Sequence, residues 1–255
     1  TLACLDALYK NKLPKNYQLD CFLVDDGSTD GTSEAISKQF PSVEIIQGDG
    51  SLFWAGGMRV AFSAAIEKNY DYYLWLNDDS ILNDTCLFQL IECNKQHISK
   101  QGLESIIVGA MADPITGKLT YSGIRRKKRL FNQISMERIQ LLNNQAVKAD
   151  TMNGNCVLIP DSAVQKLGNI DSAFSHALGD YDYGLRASKL GIEIWVTPHI
   201  VGSCAYDHVV KGSYNDINLS LKVRFKKLIS IKGLPPYAWM VYCRRHAGFM
   251  WPFIW

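Results

Sequence analysis

The sequence predicts an α/β protein in which helices flank a mostly parallel central sheet, in a single domain with a helical C-terminal extension. Short apolar segments bounded by turn residues alternate with segments of helical periodicity from the first residue to about residue 113. This alternation is typical of strands joined by crossover helices. An apolar fraction of 47% over 255 residues supplies a sizeable core, and a charged fraction of 20% is ordinary for a globular chain.

The elements of the first half follow in order along the chain. Residues 1–12 have helical spacing, and the helix is expected to end near Pro14. Residues 32–40 form a second predicted helix, with Thr32 or Ser33 as its N-cap. Strands are predicted at 19–26, 43–48, 71–80 and 105–113, and further helices at 56–70 and 85–100.

Beyond Pro114 the alternation weakens. Residues 118–133 indicate a strand or hairpin with a basic stretch, and the end of the chain is first basic and then aromatic. Strands are predicted at 149–160 and 192–198, and helices at 161–168 and 180–191.

Composition excludes several classes of protein. A formal net charge of +2 is too small to indicate nucleic-acid binding. The seven cysteines form no CxxC pair and are odd in number, which favours packed, reduced thiols in a cytoplasmic protein over a zinc site. No signal peptide and no uninterrupted apolar run of membrane-spanning length is visible.

Two predicted strands end in adjacent acids, Asp25-Asp26 and Asp78-Asp79. A calcium loop beginning at Asp26 would need Glu at its last position, which is Ser37. A phosphatase nucleophile would need an Asp where Val24 stands. Ligands of open α/β sheets bind outside the carboxyl ends of strands, and paired carboxylates in such a cleft need a cation or a hydrogen-bond donor. A ligand site at this edge is therefore predicted, although one acidic strand end alone is as often a cap or a turn.

An ordered set of motifs resembles the family 2 glycosyltransferases of the GT-A fold, a Rossmann-like architecture, and within them the rhamnosyltransferase-like and galactofuranosyltransferase-like members. The motifs are VDDGSTDGT (24–32), LFWAGGMRVAF (52–62), YLWLNDDS (73–80), MNGNCVLIP (152–160) and GDYDYGLRASKLG (179–191). The resemblance runs from the first residues to about residue 210. The family's first strand has no counterpart before Thr1, so an upstream strand is expected to be missing from the printed sequence.

The resemblance implies an inverting transferase that moves a sugar from dTDP-rhamnose or a UDP-sugar to a hydroxyl of a cell-surface glycan or lipid-linked acceptor. It divides the domain into a donor half (1–110), an acceptor-binding and catalytic half (111–215) and the basic, aromatic extension (216–255). A sugar-nucleotide pyrophosphorylase is an alternative, but its glycine-rich signature loop with basic residues is missing. A catalytically inactive nucleotide-sugar-binding module is the other alternative.

On the donor side, the resemblance implies that Asp26 accepts a hydrogen bond from the N3–H of uracil or thymine, while Asp25 shapes the turn. In the Asn77-Asp78-Asp79 motif, Asp79 is expected to bind Mg²⁺ or Mn²⁺ and Asp78 to face the donor's ribose or sugar. Asn77 leaves only two charges there, which weakens the expected metal site. His208 is an expected further metal ligand or an ordinary structural histidine.

Glycines and an arginine complete the expected donor side. Gly56 and Gly57 are expected to precede a helix whose N-terminus attracts phosphate, with a plain turn as the alternative. Arg59 binds the donor or is a solvated charge.

Asp180 is the position that matches the family's general base, which deprotonates the acceptor hydroxyl. Asp182 is expected to support the site or to pair with Arg186 four residues on. Trp54, Asn153 and Gly154 are assigned to the acceptor side with Asp182, and Trp54 either stacks on a ring or packs.

The C-terminal tail combines basic residues with Trp and Phe. Such a mixture suits the surface of an anionic membrane, which predicts peripheral contact with the inner face of the cell membrane. The same aromatics would equally well close the core or a homodimer interface.

Overall fold

The computed structural model describes residues 1–98, 102, 104–127, 135–206 and 210–254. Within these residues the strands are β1 Cys21–Asp25, β2 Val43–Gln47, β3 Tyr72–Leu76, β4 Ile81–Leu82, β5 Ile106–Ala112, β6 Leu119–Tyr121, β7 Gly123–Arg126, β8 Met136–Arg138, β9 Val147–Ala149, β10 Thr151–Met152, β11 Cys156–Pro160 and β12 Ile194–Ser203. The helices are α1 Leu2–Tyr9, α2 Thr32–Gln39, α3 Phe53–Ile66, α4 Cys86–Gln96, α5 Asp161–Leu167, α6 Gly179–Lys189, α7 Leu221–Leu228, α8 Pro236–His246 and α9 Trp251–Ile254, with a 3₁₀ turn at Gly248–Met250.

The central sheet has the strand order β3-β11-β5-β12-β4, with β6 added to β5 and β9 to β12. Because β11 runs antiparallel to both β3 and β5, and β12 runs parallel to β5, strands β3, β5 and β12 share one direction. The predicted α/β fold class is confirmed. The second half of the chain makes the sheet mixed, since β11 lies between β3 and β5 and runs antiparallel to both.

Two smaller groups of strands lie beside this sheet among the described residues. Strands β1 and β2 form a parallel pair, and β10, β7 and β8 form an antiparallel sheet. A cavity of about 570 Å³ separates β1 from β3 and has side chains of α1 and α3 in its walls. The acidic ends of β1 and β3 both line this cavity, so the fold brings Asp25 and Asp78 to one opening.

The core lies on both sides of the central sheet. Trp75 of β3 is 1% exposed and packs against the rings of Phe62 and Tyr183, with ring centroids 5.5 and 4.8 Å away. The other side buries α4 residues such as Leu90 against β5. Helix α8 of the tail joins the first cluster through Ala238 and Tyr242. The aromatic tail therefore closes the core in part, which is the alternative that the sequence left open.

Two helix starts differ from the sequence prediction. Helix α3 begins at Phe53, three residues before Gly56, because the Asp26 carboxylate accepts the amides of Leu52 and Phe53 and fixes the first turn there. Helix α2 has Gly31 at its N-cap instead of Thr32 or Ser33.

Candidate donor and transfer site

The turn after β1 is organised by the carboxylate of Asp25. The hydroxyl of Ser33 donates to Oδ2, and the backbone N–H of Ser28 donates to Oδ1 at 2.8 Å. The hydrogen bond from Ser33, followed by those from Ser28, lowers the pKa of Asp25 below its ordinary value of 3.8. Asp25 thus shapes the turn, as the sequence reading expects of it.

Asp26 has a structural role that the sequence reading does not contain. Its Oδ1 accepts the N–H of Gly50 at 2.8 Å, and its Oδ2 accepts those of Leu52 and Phe53 at 2.9 and 3.0 Å. The carboxylate therefore caps α3 and ties it to the end of β1. A carboxylate offers about four acceptor positions, so roughly one remains for a pyrimidine imide.

Gly56 and Gly57 lie inside α3 and not before it, so the sequence expectation about their position is wrong. The N–H of Gly56 donates to the carbonyl of Ser175 at 3.1 Å and is not presented to a phosphate. Arg59 donates from Nη1 to the carbonyl of Phe174 at 3.3 Å. These contacts attach α3 to the loop before α6.

The three residues after β3 have different partners. Asn77 Oδ1 accepts the indole N–H of Trp54 at 2.7 Å. Asp78 Oδ2 accepts the hydroxyl of Thr1 at 2.7 Å, and this side chain is 70% exposed. The thiol of Cys204 lies 3.5 Å from Asp79 Oδ1. Asp78 and Asp79 thus present carboxylate oxygens at the opening of the cavity.

These oxygens fit a hard divalent cation of the kind that proteins hold with one or two carboxylates, the remaining positions going to water and phosphate. Within the described residues, His, Cys, Asp and Glu nowhere gather in the groups of three that would form a complete protein cage. His208, the other predicted metal ligand, lies outside the described residues.

Trp54, Gly154 and Asp180 are in direct contact beside this acidic edge. A β-carbon built on Gly154 would lie 2.3 Å from Cζ2 of Trp54 and 3.4 Å from Cβ of Asp180, so only glycine fits here without displacing a neighbour. The backbone N–H of Gly154 donates to Asp180 Oδ2 at 3.0 Å. Trp54 and Gly154 together therefore connect Asn77 to the predicted base, Trp54 by its bond to Asn77 and Gly154 by its bond to Asp180.

The Asp180 carboxylate is held at the start of α6. Besides the bond from Gly154, its Oδ1 accepts the N–H of Tyr181 at 2.8 Å. Burial raises the pKa of Asp180 to about 6, and the two backbone donors only partly offset this rise. The residue two positions earlier, Leu178, has φ of 71°, a costly left-handed conformation for a bulky side chain. Helix α6 is therefore started by a strained N-cap residue two positions before the predicted base.

Asp182 lies on the other side of α6 and is fully buried. Arg186 donates from Nε to its Oδ2 at 2.9 Å, as the sequence spacing predicts. Arg245 and His246 of α8 also bind it, at 3.2 and 2.8 Å. Burial raises the pKa of Asp182, but the larger opposite effect of His246 and the two arginines brings this pKa below its ordinary value of 3.8. Asp182 is thus a structural anchor, which corrects its assignment to the acceptor side.

A second cavity, of about 150 Å³, is lined by Asn153 and Tyr181, the neighbours of Gly154 and Asp180. Two further aromatic residues, Tyr121 and Tyr206, and one cationic residue, Arg138, also line this cavity. The Arg138 guanidinium lies 5.0 Å from the Tyr206 ring centre. Sequence reasoning missed these three residues. They stand in the segments TYSGIRR, MERI and AY, none of which carries a motif that could have drawn attention to them.

Comparison with known proteins supports the resemblance. Residues 1–97 match the family model "Glycosyl transferase family 2". Among curated proteins no sequence matches the chain.

Three solved structures are similar in fold. GalNAc-T7, solved with UDP, GalNAc and Mn²⁺, has a TM-score of 0.59 at 12% identity, and the similarity covers 94% of this chain and 46% of that one. The mannosyltransferase PcManGT of Pyrobaculum calidifontis, solved with GDP-Man and Mn²⁺, has a TM-score of 0.56 at 13% identity, covering 83% and 54%. TarS of S. aureus has a TM-score of 0.56 at 15% identity, covering 96% and 37%.

This chain therefore spans about half, or less, of the length of these three neighbours. At these identities the similarity shows the fold. The resemblance to family 2 glycosyltransferases is thereby confirmed over residues 1–97, and the chain has the GT-A glycosyltransferase fold.

Proposed function

We propose that the chain is an inverting glycosyltransferase that moves a sugar from dTDP-rhamnose or a UDP-sugar to a hydroxyl of a cell-surface glycan or a lipid-linked acceptor. One observation carries the proposal. The Asp180 carboxylate has a pKa raised to about 6. It accepts the N–H of Gly154, which lies against Trp54, and Trp54 donates to Asn77 at the acidic end of β3. Transfer needs these two parts side by side, a base for the acceptor and an anchor for the donor diphosphate.

The donor side of the proposal depends on Asp78 and Asp79. Their carboxylates would hold Mg²⁺ or Mn²⁺, and a bound cation would neutralise charge on the nucleoside diphosphate that leaves. Two fold neighbours were solved with Mn²⁺, which supports a divalent ion in this chain. The one acceptor position left on Asp26 suits the N3–H of uracil or thymine, and pocket size must supply the remaining discrimination against guanine.

Asp180 would act as the general base. Each oxygen already accepts one backbone N–H, so each retains a lone pair for an acceptor hydroxyl. A pKa of about 6 keeps the group ionised at neutral pH and makes it a stronger base than an ordinary carboxylate. The proton of the acceptor hydroxyl passes to Asp180 while the acceptor oxygen attacks the anomeric carbon from the side opposite the leaving diphosphate.

The acceptor would approach along the cavity lined by Tyr181, Asn153 and Tyr206. Aromatic rings offer apolar faces to sugar rings, and Asn153 and Arg138 offer donors for hydroxyl or acidic groups. Because the cavity touches the residue that follows Asp180, an acceptor bound there lies next to the base.

The proposal is tested by donor hydrolysis, which needs no acceptor. The chain is incubated with dTDP-rhamnose, UDP-galactose, UDP-glucose and GDP-mannose, each with Mn²⁺ or with EDTA, and the release of nucleoside diphosphate is measured. We expect slow, Mn²⁺-dependent release from a thymine or uracil donor. A thermal-shift series with UDP, dTDP, GDP and CDP gives the base preference independently.

Two outcomes would contradict the proposal. If no donor is hydrolysed and no nucleotide raises the unfolding temperature, the chain is not a nucleotide-sugar enzyme. If a nucleotide binds but neither hydrolysis nor transfer to a panel of glycans occurs, the chain is a binding module.

A further inference from the structure

Helix α7 lies on the surface with an apolar side facing solvent. None of its residues is buried. Leu221, Phe225 and Ile229, the last being the C-cap residue of α7, follow one another at spacings of four and are 79%, 63% and 42% exposed. Residues four apart lie above one another on a helix, so these side chains form one stripe, which we name the α7 stripe.

Basic residues flank this stripe. Lys222 and Lys226, again four apart, lie along its edge, and Lys227 lies on the opposite, polar side of the helix. No described acidic side chain forms an ion pair with any of these three lysines. An apolar stripe beside a row of unpaired cations is the pattern of a helix that lies in a membrane interface.

The charged residues of the chain are also distributed unevenly between the tail and the rest of the sequence. Residues 217–255 contain seven Lys and Arg and no Asp or Glu. Since the chain has 27 basic and 25 acidic residues, the first 216 carry 20 and 25, a net charge of −5 against +7 for the tail. Such an asymmetry orients a protein toward an anionic surface, tail first.

Hydrogen bonds and core packing attach the tail, residues 217–255, to the rest of the chain and hold α7 at the surface. Arg224 donates from Nε to the carbonyl of Tyr214 at 2.9 Å. Further on, Arg245 binds Asp171 and Asp182, and Tyr242 is 2% exposed in the core. These contacts use some of the tail's cations and aromatics but leave the α7 stripe and its lysines outside.

We propose that the α7 stripe and Lys222, Lys226 and Lys227 dock peripherally on an anionic lipid membrane. The apolar side chains enter the boundary between headgroups and acyl chains, and the lysines contact anionic headgroups. Three apolar side chains on an eight-residue helix are too few for a stable protein interface, which needs about 800 Å² on each partner. Binding of a surface helix to a lipid membrane is reversible, and its strength scales with the buried apolar area together with the attraction of its cations to anionic lipids.

The contact is peripheral in character. Among the described residues no helix has both the length and the apolar character needed to cross a bilayer. Attachment therefore depends on surface charge and is expected to weaken as salt screens the lysines. The inference does not depend on transferase activity, because the α7 residues take no part in the proposed donor and transfer site.

The test is co-sedimentation with vesicles of phosphatidylcholine alone or with 30% phosphatidylglycerol, in low and high salt. Point variants are preferable to shortening the chain, because removing α8 would expose the core at Tyr242. One variant combines Leu221→Ser and Phe225→Ser, and another combines Lys222→Gln, Lys226→Gln and Lys227→Gln. Ile115→Ser is the control, since Ile115 is 91% exposed on the turn after β5.

We expect the parent chain and the Ile115→Ser control to bind anionic vesicles at least tenfold better than neutral ones, and high salt to reduce this binding several-fold. Each α7 variant is expected to lose at least tenfold in binding while keeping its unfolding temperature and any donor hydrolysis. Equal binding to both kinds of vesicle, or unchanged binding by the α7 variants, would overturn the proposal. A concentration-dependent dimer that the same variants dissociate, with no vesicle binding, would overturn it in favour of self-association.

Discussion

The indole Nε1 of Trp54 donates a hydrogen bond to Oδ1 of Asn77 at 2.7 Å. This bond joins the first turn of α3 to the residue that follows β3. Because the same indole lies against Gly154, it connects the acidic edge to Asp180. Asn77 therefore supplies the side-chain oxygen that holds Trp54, at a position where the motif resembles one that carries an acid.

We predict that Asn77→Asp keeps the bond to Trp54 and tightens binding of a divalent ion. A carboxylate accepts the indole N–H at least as well as an amide does, and it adds a negative charge beside Asp78 and Asp79. The Mn²⁺ concentration giving half-maximal donor hydrolysis should fall several-fold. Asn83→Asp, which adds the same charge on the other side of β4, serves as the control; because it also loses the bond from Asn83 Nδ2 to the carbonyl of Ile200, its unfolding temperature is measured as well. An unchanged Mn²⁺ requirement in Asn77→Asp would show that no ion binds at this edge.

We predict that Asp180→Asn reduces transfer about 10²- to 10⁴-fold while donor binding stays nearly unchanged. The amide preserves the shape but cannot take the acceptor's proton. The parent's activity should also fall about tenfold per pH unit below pH 6, since burial raises the pKa of Asp180 to about 6 and only the carboxylate is a base. The measurements are transfer rate against pH and nucleotide binding by calorimetry.

Loss of fold can be separated from loss of the base in this variant. A carboxyl whose pKa is raised contributes stability below about pH 4 and loses that contribution as the pH rises through about 6. The Asn variant removes this buried charge but places an NH₂ group against the N–H of Gly154 or Tyr181, so its free energy of unfolding at pH 7.5 should fall by no more than about 1–3 kcal/mol. Near-parental transfer by the variant would place the base elsewhere. Asp182 could not replace it, because its carboxylate is fully buried and bound to two arginines and a histidine.

The positions of the site acids could be predicted from the sequence, because they are fixed by local pattern. Asp25, Asp78 and Asp180 each stand at a strand end or helix start that apolar periodicity reveals. The contacts among them could not be predicted. Trp54 meets Gly154 across 100 residues and Arg245 meets Asp182 across 63, and no local spacing encodes such pairs. The start of α3 was misplaced for the same reason, since Asp26 caps it from another element.

We predict that Gly154→Ala disables the site with a smaller effect on the fold. The new methyl group would lie 2.3 Å from the Trp54 ring, so the indole must move and its bond to Asn77 must stretch. Donor hydrolysis should fall at least tenfold, and tryptophan fluorescence should shift. Gly117→Ala is a stringent comparison, because no atom lies within 4 Å of the added methyl but the φ of 67° strains the backbone; full activity there would show that a strained Gly→Ala away from the site is tolerated. Full activity in Gly154→Ala would show that the position of Trp54 does not matter.

We predict that Asp26→Ala destabilises the fold by about 1–3 kcal/mol, because three backbone N–H groups lose their acceptor. Asp30→Ala removes an exposed carboxylate that accepts the N–H and the hydroxyl of Thr32, and it should lower the free energy of unfolding by about 1 kcal/mol or less. Urea unfolding of both variants gives the comparison. Equal losses would mean that the Asp26 contacts carry no more stability than a surface cap.

The last prediction concerns the anchor between α6 and α8. Removing one partner of a buried ion pair leaves the other charges uncompensated, so Asp182→Ala should lower the free energy of unfolding by about 3–5 kcal/mol. Asp6→Ala breaks an exposed pair with Lys10 and should cost less than about 1 kcal/mol. Urea unfolding at pH 8 measures both, and similar losses would contradict a structural role for Asp182.

The same anchor should make stability depend on acid. Burial lowers the pKa of His246 below 6.5, and its bond to Asp182 only partly offsets this. A group with a depressed pKa contributes stability above its unfolded value and loses it as the pH falls through the folded value. Unfolding temperature should therefore drop between pH 7 and pH 5. In His246→Gln, whose amide donates to Asp182 without titrating, that drop should be smaller. An identical pH dependence in the two chains would assign the acid sensitivity to other groups.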